Sequence, residues 1–359
     1  MKKLDYIQII ILLFVYFFMN LYVFFTFASL FNLEKNLIFY TFFSISFLSI
    51  IALTFLERSF PNPITRFFYI IAVAWSGFLL FFICLIIPYN ILEIFFTIPK
   101  FIAGIVIFTL GAASSVYSLV NSLIIHTNKI QIPIKNLKKK TKIIHLSDLH
   151  LGTVNNLSYL KSVVNKAILL KPDLVVITGD LIDGTAPIKP SKLEVLNKIK
   201  VPILLILGNH EIYDLKDVYE SLSKTKVKIL RDETVNFRDF QIIGLDYGKE
   251  RAKVIKNVLR KMPLSKTKPK ILLYHTPLSP KSLSEFDIDL LLSGHLHGGQ
   301  IFPIHFVAKA SYPHYRGLQK KGKFHSYVSQ GTGTWGPPMR FFSKNEITEI
   351  EIVPEVSLN

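Results

Sequence analysis

The chain has 359 residues, 50% of them hydrophobic, and a formal net charge of +17, with a mean hydropathy of +0.39. Such hydropathy excludes an ordinary soluble protein of this length. The single cysteine, Cys84, excludes a disulfide framework or a cysteine metal site within one chain. The charge is unevenly spread: 36 of the 42 basic residues, 21 of the 25 acidic residues and all ten histidines follow Ile125. Two physically different halves are therefore joined.

The first half, 1–125, reads as a helical membrane region. Roughly 20 apolar residues in a helix span the hydrocarbon core. Four stretches qualify, at about Tyr6–Phe31, Leu37–Phe55, Phe67–Pro88 and Phe101–Ile125. The breaks "NLEKN", "LERSFPNPITR" and "YNILEIFFTIPK" carry charge or proline. The first stretch is too long for a signal-peptide core and lacks a clear cleavage site. Lys2, Lys3, Arg58 and Arg66 fall on one side of a four-span arrangement, and Lys35 and Lys100 on the other. The stretch after the last span adds Lys129, Lys135, Lys138, Lys139, Lys140 and Lys142. The positive side is the cytoplasmic one, so both ends are expected inside, in a multi-pass protein of the cell (inner) membrane. Residues 126–141 read as a basic linker able to meet anionic lipid headgroups, at about 1 kcal/mol per Lys or Arg near the surface.

From Lys142 to Asn359 the pattern alternates apolar runs with amphipathic stretches. "KIIHLSDLHLG", "DLVVITGDLIDG", "VPILLILGNHE", "VKILRDE", "FQIIGLDY", "KILLYHTP", "IDLLLSGHLHGG", "HSYVSQGTG" and "EITEIEIVP" read as strands. "LSYLKSVVNKAILLKPD", "PSKLEVLNKIK", "DLKDVYESLSK" and "KERAKVIKNVLRKM" read as helices. This is an α/β domain, and in open α/β sheets ligands bind beyond the carboxyl ends of strands.

Those strand ends carry Asp148 and His150, Asp180 and Asp183, Asn209 and His210, His275, and His295 and His297. In an extended segment residues i and i+2 share a face. Asp148 and His150 can then reach one point together, and so can His295 and His297. Carboxylate, imidazole and amide oxygen suit Mn, Fe, Zn or Ni. Gly179, Gly208, Gly294, Gly298 and Gly299 let the backbone turn sharply and leave room for a ligand. The ligands are too many for one ion. Two divalent ions sharing a carboxylate account for the number, and such pairs clamp the attacking and leaving oxygens of a phosphoryl group. His145 lies mid-strand and reads as a satisfied interior histidine. His126, His305, His314 and His325 have no strand-end setting and read as non-ligands.

The ordered set Asp148-Leu149-His150, Gly179-Asp180-Leu181-Ile182-Asp183, Gly208-Asn209-His210-Glu211, His275 and Gly294-His295-Leu296-His297 resembles the calcineurin-like metallophosphoesterase superfamily. "GHLHGGQIFP" and "YVSQGTGTWGPPMRF" are similar to a bacterial, membrane-associated phosphodiesterase branch, with "NEI" where that branch has Pro-Glu-Ile. The resemblance runs from about Lys142 to Pro354 and leaves the four spans uncovered. It implies a four-layer α/β/β/α sandwich. It also implies one metal on Asp148, His150, Asp180 and His297, and a second on Asp180, Asn209, His275 and His295. His210 matches a group that protonates the leaving oxygen or stabilises charge there. Asp183 matches the carboxylate that orients that imidazole. A water between the metals, its pKa lowered toward neutral, would attack phosphorus in line.

The expected function is hydrolysis of a phosphodiester or pyrophosphate bond, with the anchor and the basic domain favouring an anionic, lipid-linked substrate. The alternatives are a soluble nucleotide or nucleic acid substrate, and a non-catalytic membrane receptor or scaffold of this fold. Nucleic acid is disfavoured by the lack of a basic stripe interleaved with aromatics, and the scaffold by the intact ligand set and His210. A transporter is disfavoured because the spans hold no intramembrane acid or base.

Overall fold

The computed structural model describes residues 3–184, 188–212, 215–248 and 252–355. Lys2, used above for orientation, the final residues 356–359, and the first residues of the expected helices "DLKDVYESLSK" and "KERAKVIKNVLRKM" lie outside the described residues. The chain divides into two compact units. One is Met1–Ser122 with Ile301–Pro303 and Gly336–Phe341; the other is Leu123–Gln300, Ile304–Trp335 and Phe342–Asn359.

The helical unit holds α1 (Lys3–Leu30), α2 (Leu37–Ser59), α3 (Pro63–Glu93) and α4 (Lys100–Leu123). All four are long and apolar enough to cross a membrane. Asn36 caps α2, accepting from the amides of Ile38 and Phe39. Asn62 and Thr65 form a reciprocal capping box at α3, with Pro63 in its first turn. α3 runs through Pro88 to Glu93, where the sequence reading stops at the proline. Neighbouring helices can support the freed backbone groups at such a position. Fully buried Asn20 of α1 accepts from Trp75 Nε1 of α3 (3.0 Å) and Ser46 Oγ of α2 (2.5 Å). Three helices are thus joined by one amide. Outward-facing Ile10, Leu12, Phe42, Phe55, Phe101 and Phe108 are exposed, a surface suited to hydrocarbon rather than water.

Two stretches from the C-terminal half pack inside this unit, where the sequence reading assigns them to the α/β domain. Met339 is fully buried in a cluster with Ala74, Phe81 and Ile301. A Cβ on Gly77 of α3 would strike its Sδ. The Arg340 amide donates to the Ser118 carbonyl (2.9 Å), and Asn121 Nδ2 donates to the Arg340 carbonyl (2.9 Å). Ser122 Oγ donates to the Pro338 carbonyl (2.6 Å).

The second unit is built on two six-stranded sheets. The first contains β1 (Ile125–Ile134), β2 (Thr141–Leu146), β3 (Leu174–Thr178), β4 (Ile203–Ile206), β5 (Val227–Ile229) and β12 (Asn345–Pro354), in the order β1-β12-β2-β3-β4-β5. The second contains β6 (Glu233–Phe237), β7 (Phe240–Gly244), β8 (Lys270–Leu273), β9 (Leu290–Ser293), β10 (Gly317–Lys321) and β11 (Phe324–Val328), in the order β10-β11-β9-β8-β7-β6. β2 to β5 run parallel, as do β7, β8, β9 and β11. Residues from both sheets, including Ile143, Val176, Leu204, Ile242, Leu273 and Leu292, form one core between them. A second core packs helix Leu157–Leu169 onto the outer face of the first sheet. A third packs Ile255 and Leu259 of helix Ala252–Lys261 onto the second. These layers are the expected α/β/β/α sandwich.

The expected linker is corrected: Ile125–Ile134 is a strand, paired in parallel with β12 along its length. Ile130, Ile132 and Ile134 alternate with Lys129, Gln131 and Pro133, and Ile132 and Ile134 are buried. That period-2 pattern is a strand signal that the lysine-rich context hid. "PSKLEVLNKIK" is one α-helical turn, Pro190–Leu193, followed by a 3-10 stretch, Glu194–Lys198. No side chain caps its start, and a helix this short gains little from propagation.

His145 of β2 is buried, as expected, and its Nε2 lies 2.7 Å from Thr178 Oγ1. Among the described residues its Nδ1 has no hydrogen-bond partner. Burial lowers its pKa to about 3 from an ordinary 6.5. Acidification therefore favours the unfolded chain, whose imidazole takes up a proton first. The His145 contribution is intact above the unfolded pKa and falls by about 1.4 kcal/mol per pH unit as pH drops below it. His145→Gln should flatten the acid side of the stability profile, read as unfolding midpoints at about pH 7 and about pH 5. An unchanged slope would contradict this.

Candidate metal centre

The carboxyl ends of β2, β3 and β4 in one sheet and of β8 and β9 in the other supply the expected residues. Five of these side chains sit on left-handed backbone: Asp148 (φ 53°), His150 (φ 45°), Asp180 (φ 51°), His295 (φ 72°) and His297 (φ 49°). Each such residue costs about 1–3 kcal/mol, and this kind of strain gathers at functional sites. It also corrects the extended i, i+2 picture. His295 and His297 do not share one point. His297 joins Asp148 and His150, whereas His295 joins Asp180 and His275. The kinks between them turn the two rings apart.

The distances define two adjoining groups. His150 Nε2 is 3.0 Å from His297 Nε2 and 3.6 Å from Asp180 Oδ2, and His297 Nε2 is 3.7 Å from Asp148 Oδ1. On the other side, His275 Nε2 is 3.2 Å from Asp180 Oδ2, 3.1 Å from Asn209 Oδ1 and 3.2 Å from His295 Nδ1. His275 Nδ1 donates to the Thr178 carbonyl (2.7 Å). Its Nε2 therefore faces an amide oxygen, a carboxylate and another imidazole. Nitrogen and oxygen ligand atoms converging in this way fit a cation, a proton or a metal ion. Asp180 belongs to both sides. Either group, Asp148–His150–His297 or Asp180–His275–His295, could hold a metal ion.

The electrostatics follow. Burial acts to lower the His275 pKa, but the Asp180 carboxylate outweighs it and pushes it up to about 10. Burial acts against His150 likewise, and Asp183, Asp180 and Asp148 raise it. Burial would raise Asp180, yet the imidazoles of His275, His150 and His210 hold it below the carboxylate range. The acids and imidazoles thus stabilise positive charge at their centre.

His210 sits at the rim, with its Nδ1 2.9 Å from the Asp183 main-chain carbonyl. The Asp183 carboxylate is 3.9 Å from His210 Nδ1 and 3.4 Å from His150 Nδ1. The carbonyl, rather than the expected carboxylate, fixes the His210 ring. His210 also lies within ligand range of His150 and Asp180.

Sequence reasoning gave no role to Glu211, the last residue of "GNHE". It is fully buried, and its Oε2 accepts from the amides of Gly208 (2.7 Å) and Asp180 (2.9 Å), its Oε1 from that of Ile182 (3.0 Å). It ties the β3 loop to the β4 loop. Gly208 must be glycine, since a Cβ would strike the Asp180 carboxylate. Glu211→Ala leaves three buried amides unpaired. Each such group costs about 1–3 kcal/mol, so a loss of at least about 3 kcal/mol is expected in thermal unfolding, with metal uptake weakened. An unchanged midpoint would refute the tie. Asn155 was also missed. Its Nδ2 reaches the carbonyls of Leu149 (3.0 Å), His150 (3.3 Å) and Thr334 (2.9 Å). An asparagine in a polar turn carries no signal of this in sequence.

Comparison with known proteins agrees with the geometry. The sequence model of the calcineurin-like phosphoesterase family matches residues 141–299. The chain is 37% identical over 231 residues to an uncharacterized metallophosphoesterase of Campylobacter jejuni, covering 62% of each chain. It is 32% identical to an uncharacterized metallophosphoesterase of Aquifex aeolicus, covering 66% of this chain and 95% of that one. It is 31% identical to a bovine (Bos taurus) transmembrane protein with a metallophosphoesterase domain, covering 62% and 55%. The chain spans a little under two thirds of the length of the Campylobacter relative and of two similar Helicobacter pylori proteins. With the ordered ligand set on the strand ends of this sandwich, the chain belongs to the calcineurin-like metallophosphoesterase family.

Proposed function

We propose that the protein hydrolyses a phosphodiester or pyrophosphate bond of an anionic substrate, lipid-linked and met at the inner face of the cell membrane. The observation that carries this is the position of Asp180 between two convergent ligand groups. Asp148, His150, Asp180 and His297 would hold one divalent ion, and Asp180, Asn209, His275 and His295 the other. When bound, such ions activate a water and neutralise charge on phosphoryl oxygens. The protein's own groups do the rest. Ser147 Oγ (2.5 Å) and the His295 amide (3.0 and 3.1 Å) hold the Asp148 carboxylate in place. The Thr178 carbonyl fixes the His275 tautomer. With Nδ1 donating to the Asp183 carbonyl, a protonated His210 would give the leaving oxygen its proton from Nε2. The four apolar helices support a substrate met at the bilayer, and the lysines after α4 support a cytoplasmic position for the domain.

The test is turnover of a chromogenic phosphodiester and a monoester by the full chain in detergent, stripped of metal and then given Mn, Fe, Zn or Ni. Activity should vanish with the metal and return with at least one ion. Failure of every ion to restore either reaction would overturn the proposal.

A further inference from the structure

Large apolar side chains of the α/β unit are mostly buried, but four exposed ones gather at one place. The helix Ile304–Ser311 buries Ala308 and exposes Phe306 (60%), Val307 (65%), Ile304 and Ala310. Phe342, 65% exposed, stands beside its first turn, with its ring 6.2 Å from that of His305. Phe342 occupies left-handed backbone (φ 61°), which is costly for a bulky residue. Its surroundings are nonetheless fastened: the Arg316 guanidinium donates to the Phe342 carbonyl (2.6 Å), and Ser343 Oγ donates to the Gln300 carbonyl (2.6 Å). An apolar patch held out in this way marks an interaction surface.

We infer that this patch docks on the lipid bilayer, with Phe306, Val307 and Phe342 dipping into the boundary between headgroups and acyl chains. Two observations point to lipid as the occupant. The first is continuity along the chain. Ile301–Pro303, directly before the helix, and Gly336–Phe341, directly before Phe342, belong to the helical unit. Ile301 and Met339 are buried there with Ala74 and Phe81 of α3. The chain thus passes twice from a unit suited to hydrocarbon straight into exposed apolar residues. The second is charge. Between Asp289 and Glu346 the sequence has no acid and seven Lys or Arg residues. Two of these, Lys309 on the helix and Arg316 at Phe342, are exposed beside the patch. Apolar side chains bordered by cations suit an interface with anionic headgroups. The helix begins seven residues after His297, so the docked patch would steady a loop of the metal centre at the surface that carries a lipid-linked substrate. The inference rests on the membrane part of the proposed reading and not on the hydrolysis.

The experiment places an environment-sensitive fluorophore on the full chain in vesicles of phosphatidylethanolamine and phosphatidylglycerol. Cys84→Ala removes the single native thiol. Phe306→Cys or Val307→Cys then carries the label on the patch. Val254→Cys carries it on the exposed side of helix Ala252–Lys261, and Phe55→Cys on the outward face of α2. Lipids with a nitroxide near the top of the acyl chain serve as quencher. Labels at 306, 307 and 55 should shift to the blue and lose most of their emission to the nitroxide, while the label at 254 should do neither. Lys309→Glu with Arg316→Glu should reduce the quenching at 306 and 307 and leave that at 55 unchanged. Quenching at 55 without quenching at 306 and 307 would overturn the docking and leave the membrane reading standing. A blue shift at 306 and 307 without quenching would mean that a second copy of the chain covers the patch, and would overturn it too. Equal quenching at 254 would remove the special role of the patch. Absence of quenching at 55 as well as at 306 and 307 would overturn both readings.

Discussion

Asp180→Asn is expected to cut turnover by more than about a thousandfold, roughly 4 kcal/mol of barrier, and to remove most bound metal. Asp180 Oδ2 is 3.6 Å from His150 Nε2 and 3.2 Å from His275 Nε2. It thus pairs with an imidazole of each group. Its Oδ1 accepts from the His210 amide (3.0 Å), a bond that asparagine can keep. The substitution therefore removes the shared charge and leaves the shape. That charge offsets the cost of gathering buried imidazoles around cations. Melting should move little, while elemental analysis should show loss of metal. An active Asp180→Asn protein with two ions per chain would sink the assignment.

What made Asp180 legible was its place after an apolar run. Glycine at 179, a carboxylate at 180 and four similar junctions form an ordered pattern that survives without coordinates. The interior strands were legible for the same reason, since β3, β4, β8 and β9 are wholly buried and read as unbroken apolar runs. The edges were harder. β10 is "GLQKK", exposed along most of its length, and β6 is "ETVNF". Edge strands often carry charge, which blunts edge-to-edge pairing and erases the alternation that marks a strand. β1, also an edge, was lost to Lys129 and to the lysines that follow the strand.

The helical unit shows a different limit. Its helices were plain from hydropathy, but a span pattern says nothing about what fills the bundle. Met339, Pro338 and Arg340 come from "GPPMRF", a polar-looking turn more than 200 residues after α4. Gly77, whose missing Cβ admits Met339, reads as an incidental small residue. Non-local packing of this kind leaves no periodicity. The site had the same gap. Sequence could put His210 beside Asp183, but whether the carboxylate or the carbonyl holds the ring depends on loop geometry alone.

That geometry shapes the expectation for His210→Ala. Its Nδ1 is committed to the Asp183 carbonyl at 2.9 Å, and its ring crosses that of His150 at 88° with 4.6 Å between centroids. It stands at the rim, partly exposed, where His150 and His275 are buried. A general acid contributes about 10²–10⁴-fold. For a diester with a poor alkoxide leaving group, His210→Ala should lose activity in that range, because the departing oxygen needs a proton. For a nitrophenolate leaving group the loss should be much smaller, since that anion departs unprotonated. Both ions should stay, because each group keeps its other ligands. The measurement is one variant, two substrates and a metal count. A fall in metal content with activity would make His210 a ligand, as its nearness to His150 and Asp180 allows. Equal slowing of both substrates at full metal content would make its role charge stabilisation and remove the proton transfer from the mechanism.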